Sequence, residues 1–156
     1  MVDDKTFPTT TRQLAVSLPT ERTNVCVGAD TYSIVLEGAD TDDKFSFIDM
    51  LIPPGGGPMP HAHECEEMFY VEEGEVAVFC HDRRTLATTG SAVNIPGWAP
   101  HVFHNLSTEP ARLFCVVAAA GLEREFNGNW SACRNAHNPS PAGFLRKESR
   151  NEEEAA

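Results

Sequence analysis

The run Pro53-Pro54-Gly55-Gly56-Gly57-Pro58 cannot lie inside a helix or a central strand. It heads a length of chain in which turn chemistry recurs every few residues. Glu73-Gly74, Asp82-Arg83, Thr89-Gly90, Pro96-Gly97 and Ser107-Thr108-Glu109-Pro110 all serve as separators. Between them only short alternating segments fit: Glu67 to Val71, Glu75 to Cys80, Arg84 to Thr88, Ser91 to Ile95, His101 to Asn105 and Arg112 to Ala118. Upstream, Thr31 to Leu36 reads as a strand with Tyr32, Ile34 and Leu36 on one face. Phe45 to Ile52 reads as another, with Phe45, Phe47 and Leu51 alternating against Ser46, Ile48 and Met50. Many closely spaced strands without a long 3.6-residue period imply an all-β antiparallel sandwich or barrel.

The two ends fall outside this pattern. Residues 1–23 carry Thr9-Thr10-Thr11, Pro8 and Pro19 and read as an extended N-terminal arm. The barrel is expected over residues 24–126. Residues 127–156 form a C-terminal extension, irregular from Asn127 to Gly143 and closing on an acidic tail. The length of 156 residues suits one domain.

Twelve Lys and Arg against 23 Asp and Glu leave a formal charge of −11, which repels phosphate backbones and anionic lipid. No nucleic-acid or membrane partner is expected. The N-terminus shows no apolar signal region, so a soluble cytoplasmic protein is the expectation. Five cysteines form an odd set without a C-x-x-C pair, arguing against a disulfide scaffold or a cysteine-built zinc site. Cys26, Cys80 and Cys115 read as small, buried, reduced residues.

Chemistry concentrates in residues 55 to 74, G-G-G-P-M-P-H-A-H-E-C-E-E-M-F-Y-V-E-E-G. His61, His63 and Glu67 share parity, so on an extended chain their side chains leave one face. Two imidazoles and a nearby carboxylate can converge on one divalent transition metal ion, whether iron, manganese, nickel, copper or zinc. His101, 38 residues beyond His63, is a fourth candidate that an antiparallel strand pairing can deliver to the same spot.

At these residues the sequence resembles the cupins, small jelly-roll β-barrels whose first motif is G-x5-H-x-H-x3-4-E-x6-G. Gly55, His61, His63, Glu67 and Gly74 meet every position. In the second motif, G-x5-P-x-G-x2-H-x3-N, the residues Gly90, Pro96, His101 and Asn105 fit, while Trp98 stands where the second glycine belongs. Gly97, one residue early, is expected to supply the permissive backbone and leave Trp98 at the barrel mouth. The resemblance implies a cupin-type antiparallel jelly-roll β-barrel, or double-stranded β-helix, with His61, His63, Glu67 and His101 as metal ligands inside it. A metal-free structural barrel is the competing reading. It would bury three imidazoles and a carboxylate unneutralised, at a cost of several kcal/mol or a large pKa shift.

Neighbouring residues carry weaker signals. Cys65 shares the ligand parity and reads as a support or packing residue rather than a ligand. Glu64 and Glu66 have the other parity and are expected to face solvent or a partner. His104 is expected on the opposite face of its strand, and His81 and His137 follow no pattern. Phe69, Val71 and Phe103 have the ligand parity and are expected to line a small-molecule pocket, with Met59 and Trp98 at its rim.

A three-His, one-Glu set leaves two of six octahedral positions open for substrate and dioxygen. The expected function is a metal-dependent dioxygenase acting on a small enolisable or dihydroxylated aromatic, with Glu67 as ligand and base. The stretches P-P-G-G-G-P-M-P-H-A-H, F-Y-V-E-E-G-E-V and P-H-V-F-H-N resemble single-domain cupins related to quercetin dioxygenases. Those usually place four residues between the second His and the Glu; this chain has three, Glu64-Cys65-Glu66. A non-catalytic binding or sensing barrel, and a metal-dependent isomerase or hydrolase of a sugar or keto acid, are the alternatives. A homodimer is expected, with the arm crossing to the neighbouring barrel.

Overall fold

The structure is a computed structural model and describes residues 9–129. Among these residues a 3-10 turn at Pro19–Glu21 is followed by nine strands and two short α-helices. In order they are β1 (Thr23–Val27), β2 (Asp30–Leu36), α1 (Gly38–Thr41), β3 (Ser46–Ile52), β4 (Glu66–Glu73), β5 (Glu75–Cys80), β6 (Arg83–Thr88), β7 (Ala92–Ile95), β8 (His101–His104), β9 (Ala111–Ala118) and α2 (Leu122–Asn129). Every pairing between them is antiparallel. One sheet runs β1-β2-β3-β9-β4-β7 and the other β6-β5-β8, which is the expected jelly-roll sandwich.

Period-two alternation decides the inner face. In β4, Glu67, Phe69 and Val71 are buried while Glu66, Met68 and Tyr70 are exposed. In β9, Ala111, Leu113, Cys115 and Val117 point inward. In β3 the buried set is Ser46, Ile48, Met50 and Ile52, so of the two alternating sets the one without Phe45 and Phe47 faces the core. The centre is closely filled: Ile48, Ile52, Phe69, Val71, Val76, Ile95, Leu113 and Val117 are each 1% exposed or less. On the outer face of the larger sheet, the buried Asp49 takes a bidentate contact from Arg112, at 2.9 Å from Nε and 2.6 Å from Nη2.

Sequence and structure part at a few places. No strand is expected at Thr23–Val27, yet Val25 and Val27 point inward there and a tight turn at Gly28 (φ 61°) returns the chain into β2. Five residues are too few for alternation to stand out. Leu122–Asn129 is helical and runs across the expected boundary at residue 126; the rest of the extension, including His137, lies outside the described residues. Cys26 is disulfide-bonded, correcting the expectation of a reduced thiol. An odd count excludes complete pairing but leaves room for a bridge. Cys65, Cys80 and Cys115 are free.

The turn before β8 also differs. Trp98 itself adopts the left-handed conformation (φ 62°) at the position where the motif has glycine. Gly97 is required for another reason: a Cβ there would lie 2.3 Å from the carbonyl oxygen of Glu64. The described part of the arm leaves Leu14, Val16 and Leu18 exposed, and Arg12 donates to the Asp40 carbonyl at 3.0 Å.

Candidate metal centre

Two backbone ties bring the distant segments together. His61 and His101 form an isolated antiparallel bridge, each N–H donating to the other's carbonyl at 3.1 and 2.9 Å. The Trp98 N–H donates to the His63 carbonyl at 2.7 Å. Glu67 enters from the start of β4. One ligand atom each from His61, His63, Glu67 and His101 then lie within 4.8 Å of one another. Glu67 and His101 are buried and the other two half-buried.

The imidazoles are oriented from behind. The Nδ1 atoms of His61, His63 and His101 lie 2.8 Å from the carbonyls of Met59, Cys65 and Ala99, respectively. A carbonyl only accepts, so each Nδ1 carries its proton and, in the neutral ring, leaves the Nε2 lone pair free. Nε2 of His63 and of His101 sit 3.0 and 3.2 Å from the same oxygen, Oε2 of Glu67. Lone pairs and a carboxylate crowded together repel unless a proton or a cation stands among them. Neutral imidazoles with one carboxylate form a donor set suited to a divalent transition metal, so the residues present fit such an ion.

The electrostatics agree. Burial pushes the Glu67 carboxyl up, but His101 and His63, whose rings when protonated on both nitrogens donate from Nε2 to Oε2, outweigh it and hold the pKa at about 2. The hydrogen bond to Glu67 raises His63, whereas burial lowers His61. Cys65 Sγ rests 3.2 Å from Nδ1 of His63, on the side away from Nε2, and Cys65 is not in the cluster. Cys115 lies 3.4 Å from the other oxygen of Glu67, Oε1, and its thiol is pushed up by burial.

The cluster opens into a cavity of about 290 Å³ whose walls include Val27, Tyr32, Ile48, Met50, Phe103 and Cys115. Leu122, Glu125 and Phe126 of α2 also line it. The helix is fastened by buried Glu123, which accepts the N–H groups of Gly38 (3.0 Å) and Gly121 (2.7 Å). Those N–H groups, against the effect of burial, lower the Glu123 pKa. Of the residues expected around a pocket, Phe103 and Met59 line the cavity. Phe69 and Val71 are fully buried core, and Trp98 is 68% exposed; none of the three lines the cavity. Parity gives the inner face but not the position along it. Glu64 and Glu66 are exposed, the latter accepting a hydrogen bond from Asn94 at 2.8 Å. His104 is half-buried on the face opposite His101 and Phe103. Sequence reasoning missed Tyr32 and Cys115 as cavity residues, although their strand parity already pointed them inward. It missed α2 as a cover because its residues carry no motif.

The Cupin_2 family of cupin domains matches residues 48–117. No curated protein matches the chain. Among solved structures, TT1209 from Thermus thermophilus is similar at 27% identity and TM-score 0.51, covering 68% of this chain and 90% of its own. The polyketide cyclase RemF from Streptomyces resistomycificus is similar at 22% identity and TM-score 0.61, covering 81% and 90%. KdgF from Halomonas sp. is similar at 16% identity and TM-score 0.61, covering 70% and 99%. With the antiparallel two-sheet barrel and the motif residues gathered inside it, this chain has the cupin fold, and residues 48–117 match a cupin domain.

Proposed function

We propose that the chain is a metal-dependent dioxygenase, quercetinase-like in its chemistry, acting on a small enolisable or dihydroxylated aromatic. His61, His63, Glu67 and His101 would hold one divalent transition metal ion. The observation that carries this reading is the convergence of imidazole nitrogens on one carboxylate oxygen, with every Nδ1 committed to a carbonyl. When bound there, a redox-active ion supplies Lewis acidity and electron exchange with dioxygen. The chain does the rest. The histidines hold Oε2 of Glu67 in place, while Oε1, beside Cys115, is available to take a proton from a substrate hydroxyl. The apolar walls and α2 keep bulk water from the reacting group.

The test uses the full chain purified without added metal, analysed for metal content, then reconstituted with Fe(II), Mn(II), Ni(II) or Cu(II). Oxygen uptake with flavonols and simpler dihydroxyaromatics is the readout. Glu67→Gln should lower turnover about 100-fold or more, the usual weight of a general base. Turnover under strict anaerobiosis would instead identify an isomerase or hydrolase. Ligand binding without turnover for any metal would identify a binding module.

We also propose that the arm crosses to a second copy of the chain. Leu14, Val16 and Leu18 occupy alternate positions of the arm and stand exposed, Leu14 at 89%. Burying them on a partner removes that apolar surface from water. Sedimentation should show a dimer at micromolar concentration and a monomer for the Leu14→Glu, Val16→Glu double variant; a monomeric parent overturns the proposal.

A further inference from the structure

Beyond the His/Glu cluster, the cavity presents few groups able to hydrogen-bond a ligand. Glu125 is exposed on α2, and the Cys115 thiol is engaged with Glu67. Among the described residues, Tyr32 is the one hydroxyl-bearing residue of the lining, only 3% exposed, with Phe126 edge-on to its ring at 5.4 Å. Behind it stands Asp30, fully buried. Oδ2 of Asp30 accepts the Tyr32 hydroxyl at 3.4 Å, and Oδ1 accepts the Gly57 N–H at 3.1 Å. Gly57 belongs to the Pro-Gly run that leads into His61, so this carboxylate is fixed by the same loop that positions the cluster.

We propose that Tyr32 is a specificity-determining residue of the cavity, accepting a hydrogen bond from a hydroxyl of the bound ligand, and that Asp30 is the positioning residue that makes it an acceptor. This inference rests on the metal-centred reading above and narrows its substrate class: one oxygen function for the cluster and a hydroxyl donor for Tyr32.

Proton placement decides the role of the phenol. An ionised Asp30 has only lone pairs to offer, so Tyr32 must turn its single proton toward it. The phenol oxygen is then left with free lone pairs for a neighbour in the cavity. At 3.4 Å the Tyr32–Asp30 contact is long for O–H···O. Burial raises the Asp30 pKa to about 6, against the Gly57 and Tyr32 hydrogen bonds and the nearby His104, so at pH 8 it is a carboxylate. Tyr32 stays un-ionised, its pKa raised by burial and then by the charges of Asp30, Glu67 and Cys115.

The test measures binding, not turnover. Benzohydroxamate, its 3-hydroxy and 4-hydroxy derivatives and the matching methoxy compounds are titrated calorimetrically into Ni(II)-loaded protein at pH 8. In the parent, one hydroxy isomer should bind about 3- to 10-fold tighter than benzohydroxamate, the range expected of one neutral hydrogen bond. Tyr32→Phe should erase that advantage, so that the hydroxy derivative and benzohydroxamate bind with equal affinity. Asp30→Asn supplies a readout that a merely structural role would not produce. Gly57 holds the amide oxygen, so the NH2 faces Tyr32, turns the phenol proton toward the ligand, and shifts the preference from hydroxy to methoxy compounds. A hydroxyl advantage of equal size in the parent and Tyr32→Phe overturns the proposal, as does the absence of any hydroxyl advantage in the parent. Failure of benzohydroxamate to bind the Ni(II)-loaded parent overturns the metal-centred reading as well, which separates the two failures.

Discussion

The inside of the barrel has two regions built from the same strands. In β4, Glu67 faces the cavity while Phe69 and Val71 are closed core. In β9, Cys115 faces the cavity and Leu113 does not; in β3, Ile48 and Met50 do and Ile52 does not. The filled region is packed with aliphatic and aromatic side chains from both sheets. The cavity is bordered by β1 to β3, by single inward residues of β4, β8 and β9, by the histidine loop and by α2. An inward position thus has two possible fates. It is core where neighbouring side chains of both sheets close over it, as at Phe69 and Val71, and lining where the histidine loop and α2 leave space, as at Glu67 and Met50.

Large-to-small substitutions should separate the regions most strongly. Phe69→Ala removes a ring fully enclosed by protein and should cost about 3–5 kcal/mol in urea denaturation, with metal content unchanged. Met50→Ala acts on a side chain that already borders empty space, so fewer contacts are lost and the cost should be about 2 kcal/mol or less. Equal losses at the two positions would mean that the cavity is as well packed as the core, and the comparison would collapse.

The difference also explains what could be read in advance. Strand parity and turn residues reveal the β-architecture because each is local: the side chains of Glu67, Phe69 and Val71 must share a face whatever surrounds them. The cluster was legible because histidines at 61 and 63 and a glutamate at 67 repeat that parity, and because the motif supplied His101. Depth was not legible. Whether Phe69 fills the barrel or edges a pocket depends on Phe103, 5.5 Å from it across the two sheets, and on nothing next to it in sequence. The left-handed Trp98 was hidden for a similar reason. Gly97 looked like the flexible residue of the pair, but close approach to Glu64 occupies it. Asp30 gave no signal, since its role arises from Gly57, 27 residues away.

The two regions also differ in how they keep buried polar groups, and this gives the smallest of the expected effects. Asn105, fully buried outside the cavity lining, is neutral and satisfied on both sides: Nδ2 donates to the carbonyls of Ile52 (3.0 Å) and Glu109 (2.7 Å), and Oδ1 accepts from Ser107. Asp30, behind the cavity wall, is ionisable and holds one firm partner and one long one. Burial raises its pKa from 3.8 to about 6, so the folded protein binds this proton more tightly than the unfolded chain. The stability contributed by that proton is complete below pH 3.8 and disappears as pH rises through about 6. Asp30→Asn carries no titrating proton, so its stability relative to the parent should rise between pH 4 and pH 7, read as the difference in urea midpoints. Asn105→Asp would move the same liability into the filled region, where the carbonyls of Ile52 and Glu109, which only accept, would face a carboxylate oxygen in place of Nδ2. Its pH dependence should run in the same direction and be steeper. A flat difference for Asp30→Asn across that window would show the carboxyl to be as well solvated as in the unfolded chain, and the contrast in polar groups would fall with it.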